Sequence, residues 1–137
     1  MGYYTEFELN VYAAEKDDQS GAFTKAYHLS PLVKIDLENE IEKMNVFESG
    51  DCDSGWYANT KWYDWEDDMA LLSKRFPEIF FELHGIGEGF EDMWNAYVFN
   101  GAIQYCPAEI TYPPFDPSKL VKKESGDGKP YSYQILA

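Results

Sequence analysis

The chain has 137 residues, 25 acidic against 11 basic side chains, and a formal net charge of −14. Its composition is 45% hydrophobic and 18% aromatic, which excludes an acidic disordered tail, because such segments are poor in aromatics, and fits one domain with a real core. A body of this sign repels nucleic acid and anionic membrane and attracts basic surfaces, and no run approaches the ~18 apolar residues of a membrane helix.

The first strand signal spans residues 5–13, where Phe7, Leu9 and Val11 alternate with Glu6, Glu8 and Asn10. Such alternation marks a half-buried strand with one wet face. Glu15–Gly21 reads as a polar loop, and 22–34 as mostly irregular, with Pro31 breaking any long helix. A short helix is expected over 36–46, with Asp36 as N-cap, Asn39 and Glu40 in its first turn, and Leu37, Ile41 and Met44 at helical spacing. Glu38, Glu42 and Lys43 fall on its opposite face and are expected to be solvated. Ser49–Gly55 is a loop by composition. Trp56–Trp62 is aromatic and partly alternating, which suggests a strand.

Residues 64–75 carry the strongest helix signal. Asp64 and Asp67 give a start like a capping box, Met69, Leu72 and Phe76 form an apolar stripe, and Pro77 ends the helix. Lys74 and Arg75 in the last turn suit the helix dipole. Ile79–His84 then reads as a strand with Phe81 on the packed face, closed by the glycine-rich Gly85–Gly89. Met93–Phe99 and Ala102–Cys106 are strands joined by Asn100-Gly101, a strong hairpin signal. Prolines 107, 113, 114 and 117 limit strand content beyond. The order predicts an α+β domain over 1–117: a mostly antiparallel sheet with two helices packed on one face, arranged as a ferredoxin-like (split βαβ) variant. Residues 118–137 read as a linker-like tail in which 131–136 could add an edge strand.

Charge is unevenly placed. Residues 1–112 carry 22 acids and 7 basic side chains, and the rest 3 acids and 4 lysines. An acidic body therefore ends in a near-neutral tail. The ordinary role of the acids is to keep an aromatic-rich domain soluble. The sharper role is a docking surface, since aromatics ringed by carboxylates suit cationic partners.

Conventional sites fare poorly. Glu82 and His84 share one strand face, and with Asp92 or Glu88 they could ligate a metal, but a wet sheet face with one histidine accounts for them better. His28 has no partner motif. Gly85–Gly89 lacks full phosphate-loop spacing, and Glu88, Glu91 and Asp92 would repel a phosphate, so a flexible turn is expected there. Asp51–Ser54 fails as a calcium loop because position twelve is Trp62. Cys52 and Cys106 form no Cys-x-x-Cys motif, and in a reducing compartment they are expected as free thiols. No positioned base accompanies a nucleophile, so no enzyme, metal or cofactor is expected.

The best binding candidate is the helix start, where Asp64, Trp65, Glu66, Asp67 and Asp68 are consecutive. Helix-dipole complementarity also wants acids there. Trp65 lies four residues before Met69 and so in line with the core, yet its ring edge could remain among the carboxylates. Glu88, Glu91 and Asp92 form a second acidic cluster.

The segments Lys61–Met69, Leu72–Pro77, Phe80–Gly85 and Asn100–Tyr105 resemble small proteins of phages and mobile elements that carry a ferredoxin-like module, including the Api92-like group. The likeness covers residues 56–120 and carries no catalytic residues. It implies a phage-type origin and an α+β fold. Joined to the charge, it leads to the expectation of a non-enzymatic inhibitor of a host defence nuclease, of anti-CRISPR type, acting in the host cytoplasm. The expected partner is a basic host protein, a nucleic-acid-binding defence effector, with no direct contact to nucleic acid or membrane. An immunity protein for a basic toxin is the alternative, and a small-ligand or enzymatic domain comes third.

Overall fold

Alternation of apolar and polar residues from Thr5 onward favours a strand, and in the structure, a computed structural model, that strand is the centre of the sheet. Residues 3–16, 23–26, 29–89 and 91–123 are described. The elements in order are β1 (Thr5–Lys16), β2 (Phe23–Ala26), α1 (Pro31–Met44), β3 (Gly50–Asp51), β4 (Gly55–Thr60), α2 (Trp65–Arg75), β5 (Ile79–Ile86), β6 (Met93–Phe99) and β7 (Ala102–Pro107). The seven strands form one sheet in the order β3-β4-β1-β5-β6-β7, with β2 beside the end of β1. Every described pairing is antiparallel.

β4 and β5 flank β1, both run antiparallel to it, and α2 joins them. The path from β1 through α1 returns to β4, directly beside β1. The fold is thus α+β with an antiparallel sheet and two helices.

One sheet face is dry. Phe7, Leu9, Val11, Trp56, Ala58, Ile79, Phe81, Leu83, Trp94, Ala96 and Val98 point into a single core with Leu37 and Ile41 of α1 and Met69 and Leu72 of α2. Phe81 is fully buried and Phe80 half-buried, as the alternation predicts. The other face presents Glu6, Glu8, Tyr57, Asn59 and Asn95 to solvent.

Several expectations shift. α1 starts at Pro31 and not at Asp36: Ser30 is the N-cap and accepts from the Val33 N–H at 3.4 Å. Proline at the first helical position is pre-set for the helix and lacks only an N–H that would be unpaired anyway, so the residue read as a breaker is the starter. Asn39 and Glu40 consequently sit mid-helix. Glu40 takes both terminal nitrogens of Arg75, at 2.7 and 3.3 Å, and ties α1 to α2. Glu38 is half-buried and accepts from the Cys52 N–H at 3.0 Å. β1 runs on through Glu15 and Lys16, and β2 lies in the stretch read as irregular.

Asn100 and Gly101 have φ of 46° and 84°, the pair of positive values that a tight hairpin requires. Ser73, buried in α2, accepts from the Gly101 N–H at 2.8 Å and donates to the Ala70 carbonyl at 2.9 Å, pinning helix to hairpin. From Ala108 to Lys123 the only regular element is a 3-10 turn at Pro117–Lys119. Ile110, Tyr112, Phe115, Leu120 and Val121 are all exposed there. Residues 131–136 and His28 lie outside the described residues.

Candidate functional site

The register of β1 sets the site. Glu6 pairs with Ile86, so the chain entering β1 runs beside the turn that leaves β5. Tyr3 and Tyr4 therefore meet the Glu88–Asp92 loop. The Tyr3 hydroxyl donates to Asp92 Oδ2 at 2.6 Å and accepts from the Gly89 N–H at 2.9 Å. The Tyr4 N–H donates to Glu88 Oε2 at 2.9 Å. On the other side, the Tyr3 N–H donates to the Tyr63 hydroxyl at 2.8 Å, just before α2. The N-terminal segment thus bridges the two acidic clusters, which are far apart in sequence.

Between them is a cavity of about 190 Å³ lined by Tyr3, Thr5, Phe7, Trp62, Tyr63, Trp65, Asp92 and Trp94. Trp65 stacks on Trp94 with ring centres 4.5 Å apart and planes 16° from parallel. Tyr105 of β7 leans on both, at 6.2 and 5.6 Å. Burial pushes the Tyr105 phenol up, and the carboxylates of Asp92 and Glu66 push it the same way. One tyrosine therefore feels an acid from each cluster.

Gly85 makes the stack possible. A Cβ there would run into the Trp94 ring, and one at Gly87 into Asp92 and the Tyr3 hydroxyl. These glycines are present for close approach. Gly85 is still within β5, and the turn that follows is held by Gly87 N–H to Asp92 O at 2.7 Å and Asp92 N–H to Gly89 O at 2.9 Å. The expected loose turn from Gly85 to Gly89 is part strand and part hydrogen-bonded turn.

The expected contact residues divide. Asp64, Glu66 and Asp67 are exposed at the start of α2, and Glu88 and Glu91 are exposed in the β5–β6 turn. Asp64 is the N-cap residue, but its side chain makes no capping bond, so the capping-box expectation fails. Asp68 is half-buried and accepts from Trp62 Nε1 at 2.7 Å. Trp65 is half-buried, which satisfies both its core spacing and its open edge. Tyr3, Tyr63, Trp94 and Tyr105 also belong to the site; the surplus of aromatics in the sequence signals such a cluster, but which of them meet depends on strand order. Lys61 also sits here, its ammonium 4.9 Å from the Tyr4 ring centre.

The other candidates have structural occupations. His84 Nδ1 lies 2.6 Å from Asn95 Oδ1 on the outer face. Among the described residues no group of three or more His, Cys, Asp or Glu is placed to hold a metal. Asp51 Oδ1 accepts from Ser54 N–H at 2.7 Å and Asp53 N–H at 3.0 Å, and donation from Ser54 above all holds its carboxyl below the usual range. Cys52 and Cys106 are free thiols. Burial, then the nearby Glu38 carboxylate, pushes Cys52 up to about 12. No helix among the described residues is long and apolar enough to cross a membrane.

No protein family, curated protein or solved structure matches the chain.

Proposed function

We propose that this is a non-enzymatic docking protein of a phage or mobile element, of Api92-like and anti-CRISPR type, that occupies a basic nucleic-acid-binding surface of a host defence nuclease. The observation that carries this reading is the convergence of two acidic clusters on exposed aromatic side chains at one end of the sheet. Carboxylates standing where phosphates would sit steer the approach, and Trp65 with its neighbours anchors the docked state. The host cytoplasm is the place of action.

The test is capture of nucleic-acid-binding proteins from host lysate at low salt and at ~0.5 M salt, where exposed charges are screened within a few ångströms. Replacing Asp64, Glu66 and Asp67 with Asn or Gln, while sparing Asp68 for its bond to Trp62, should slow association more than it speeds dissociation. A folded triple variant that captures the same protein equally fast at low salt sinks the proposal. Capture of a basic toxin in place of a defence nuclease would move the protein to the immunity class.

A further inference from the structure

We infer that the cavity between α2 and the β5–β6 turn is a receptor for an arginine side chain presented by a basic protein. This rests on the docking reading for the source of the arginine and deepens it by naming the group recognised.

The walls argue for a cation. Tyr3, Trp62, Tyr63, Trp65 and Trp94 surround the space, and aromatic faces attract cations through their negative π-clouds. Tyr3 and Tyr63 of that lining keep 41% and 67% of their surface open, so ring area is available to an incoming group. The chain already uses this chemistry next door, where Lys61 lies over Tyr4. Lys61 itself is exposed and lies outside the cavity lining.

The oxygens argue for arginine over other cations. Asp92 lines the cavity and spends Oδ2 on the Tyr3 hydroxyl, while Oδ1 takes no hydrogen bond among the described residues. Thr5 and Tyr63 are polar members of the same lining, the Tyr63 hydroxyl already accepting from the Tyr3 N–H. A quaternary ammonium has no N–H to offer these acceptors. A lysine ammonium has donors but no plane. A guanidinium has five donors in a flat fork that lies against a ring while reaching a carboxylate. The Asp92 carboxylate is also held in place by Tyr3, so little freedom is lost when a ligand arrives.

The experiment is a titration of the full chain with N-acetyl-arginine methylamide, read by the indole N–H resonances of Trp62, Trp65 and Trp94. The lysine and citrulline counterparts are the controls. Saturable shifts of Trp65 and Trp94 with arginine are expected, weaker by about 2–5-fold with lysine and lost with the neutral citrulline. Tyr63→Leu, at an exposed position of the lining, should weaken the arginine response by about 2–5-fold, and Asp92→Asn by more. Tyr63→Leu keeps the test valid if Asp92→Asn fails to fold. Equal responses to arginine and citrulline, or an undiminished response in Tyr63→Leu, overturn the inference. Because the probe needs no protein partner, its failure is distinct from failure of the lysate capture. A positive titration together with capture that is unaffected by the triple variant keeps the arginine receptor and rejects the acid-steered docking.

Discussion

Asp68 offers the sharpest test of how the acidic helix start is built. Trp62 is 8% exposed, and its Nε1 donates to Asp68 Oδ2 at 2.7 Å. Asp68→Ala leaves that buried N–H without an acceptor, which costs about 1.5–3 kcal/mol when the lost partner is charged. Asp64, Glu66 and Asp67 are exposed, and Asp64 caps nothing with its side chain. Each contributes only its favourable place near the helix N-terminus, about 0.3–1 kcal/mol. Urea unfolding followed by tryptophan fluorescence and circular dichroism separates the two cases. At a slope of about 2 kcal/mol per molar, a loss of about 2 kcal/mol lowers the midpoint by about 1 M, against about 0.2–0.5 M for each neighbour. Asp68→Asn keeps an oxygen for the indole and should recover more than half of the loss. An Asp68→Ala midpoint within about 0.2 M of Asp67→Ala refutes the reasoning, and all four acids would then belong to the solvated face.

Phe81→Ala, at a fully buried position of β5, should cost about 3–5 kcal/mol; a loss under about 1 kcal/mol would mean the core closes without it. Ser73→Ala removes the acceptor of the Gly101 N–H and should cost about 1–3 kcal/mol, with faster hydrogen exchange at Gly101 as the local signature. Gly85→Ala drives a Cβ into Trp94 and should cost about 1–3 kcal/mol through overpacking, whereas Gly89→Ala meets nothing nearer than 3.8 Å and should be tolerated; equal melting temperatures for the two variants would contradict the close-approach role. Cys52, with its thiol pushed from 9.0 up to about 12, should react with iodoacetamide at pH 8 far more slowly in the folded protein than in the urea-unfolded chain. Since the folded thiol keeps its proton where the unfolded one loses it, the contribution of Cys52 is complete below pH 9 and declines as pH rises from 9 toward 12. Stability of the parent relative to Cys52→Ala should shrink over that range, and a gap that widens reverses the sign of the argument.

The legible parts of this chain were those governed by local period. Phe7, Leu9 and Val11 declared their face of β1, Met69 and Leu72 declared α2, and Asn100-Gly101 declared the hairpin. Local rules misled where one residue type serves two purposes. Proline breaks a helix interior, yet at the first position Pro31 initiates α1. Glycine permits turns, yet Gly85 lies within β5 where an indole needs the space. By its helical spacing Glu38 is expected in solvent, and by its neighbours Asp68 belongs to an acidic contact cluster, yet each accepts from a donor held in place by tertiary structure. The acids of the site were visible as clusters. Their meeting was not, because it follows from pairing β1 with β5 across about half of the chain, and nothing local encodes that choice.

This division of labour bears on how the surface would recognise a partner. Asp68, Glu88 and Asp92 already accept hydrogen bonds from Trp62, Tyr4 and Tyr3. Trp65 is fixed by its stack on Trp94. A docking surface made of loose acids would give up rotamer freedom for each contact it made, about 0.5–1.5 kcal/mol per side chain. Here the aromatic floor and its central carboxylate are ordered before any partner arrives. Asp64, Glu66, Asp67 and Glu91 remain as exposed charges around them. Exposed charges act at a distance and set the rate of encounter, while ordered aromatics act at contact and set the lifetime. The arrangement therefore separates approach from retention in space. Salt should act on the rim of acids and leave the lifetime of a docked arginine largely to the rings beneath.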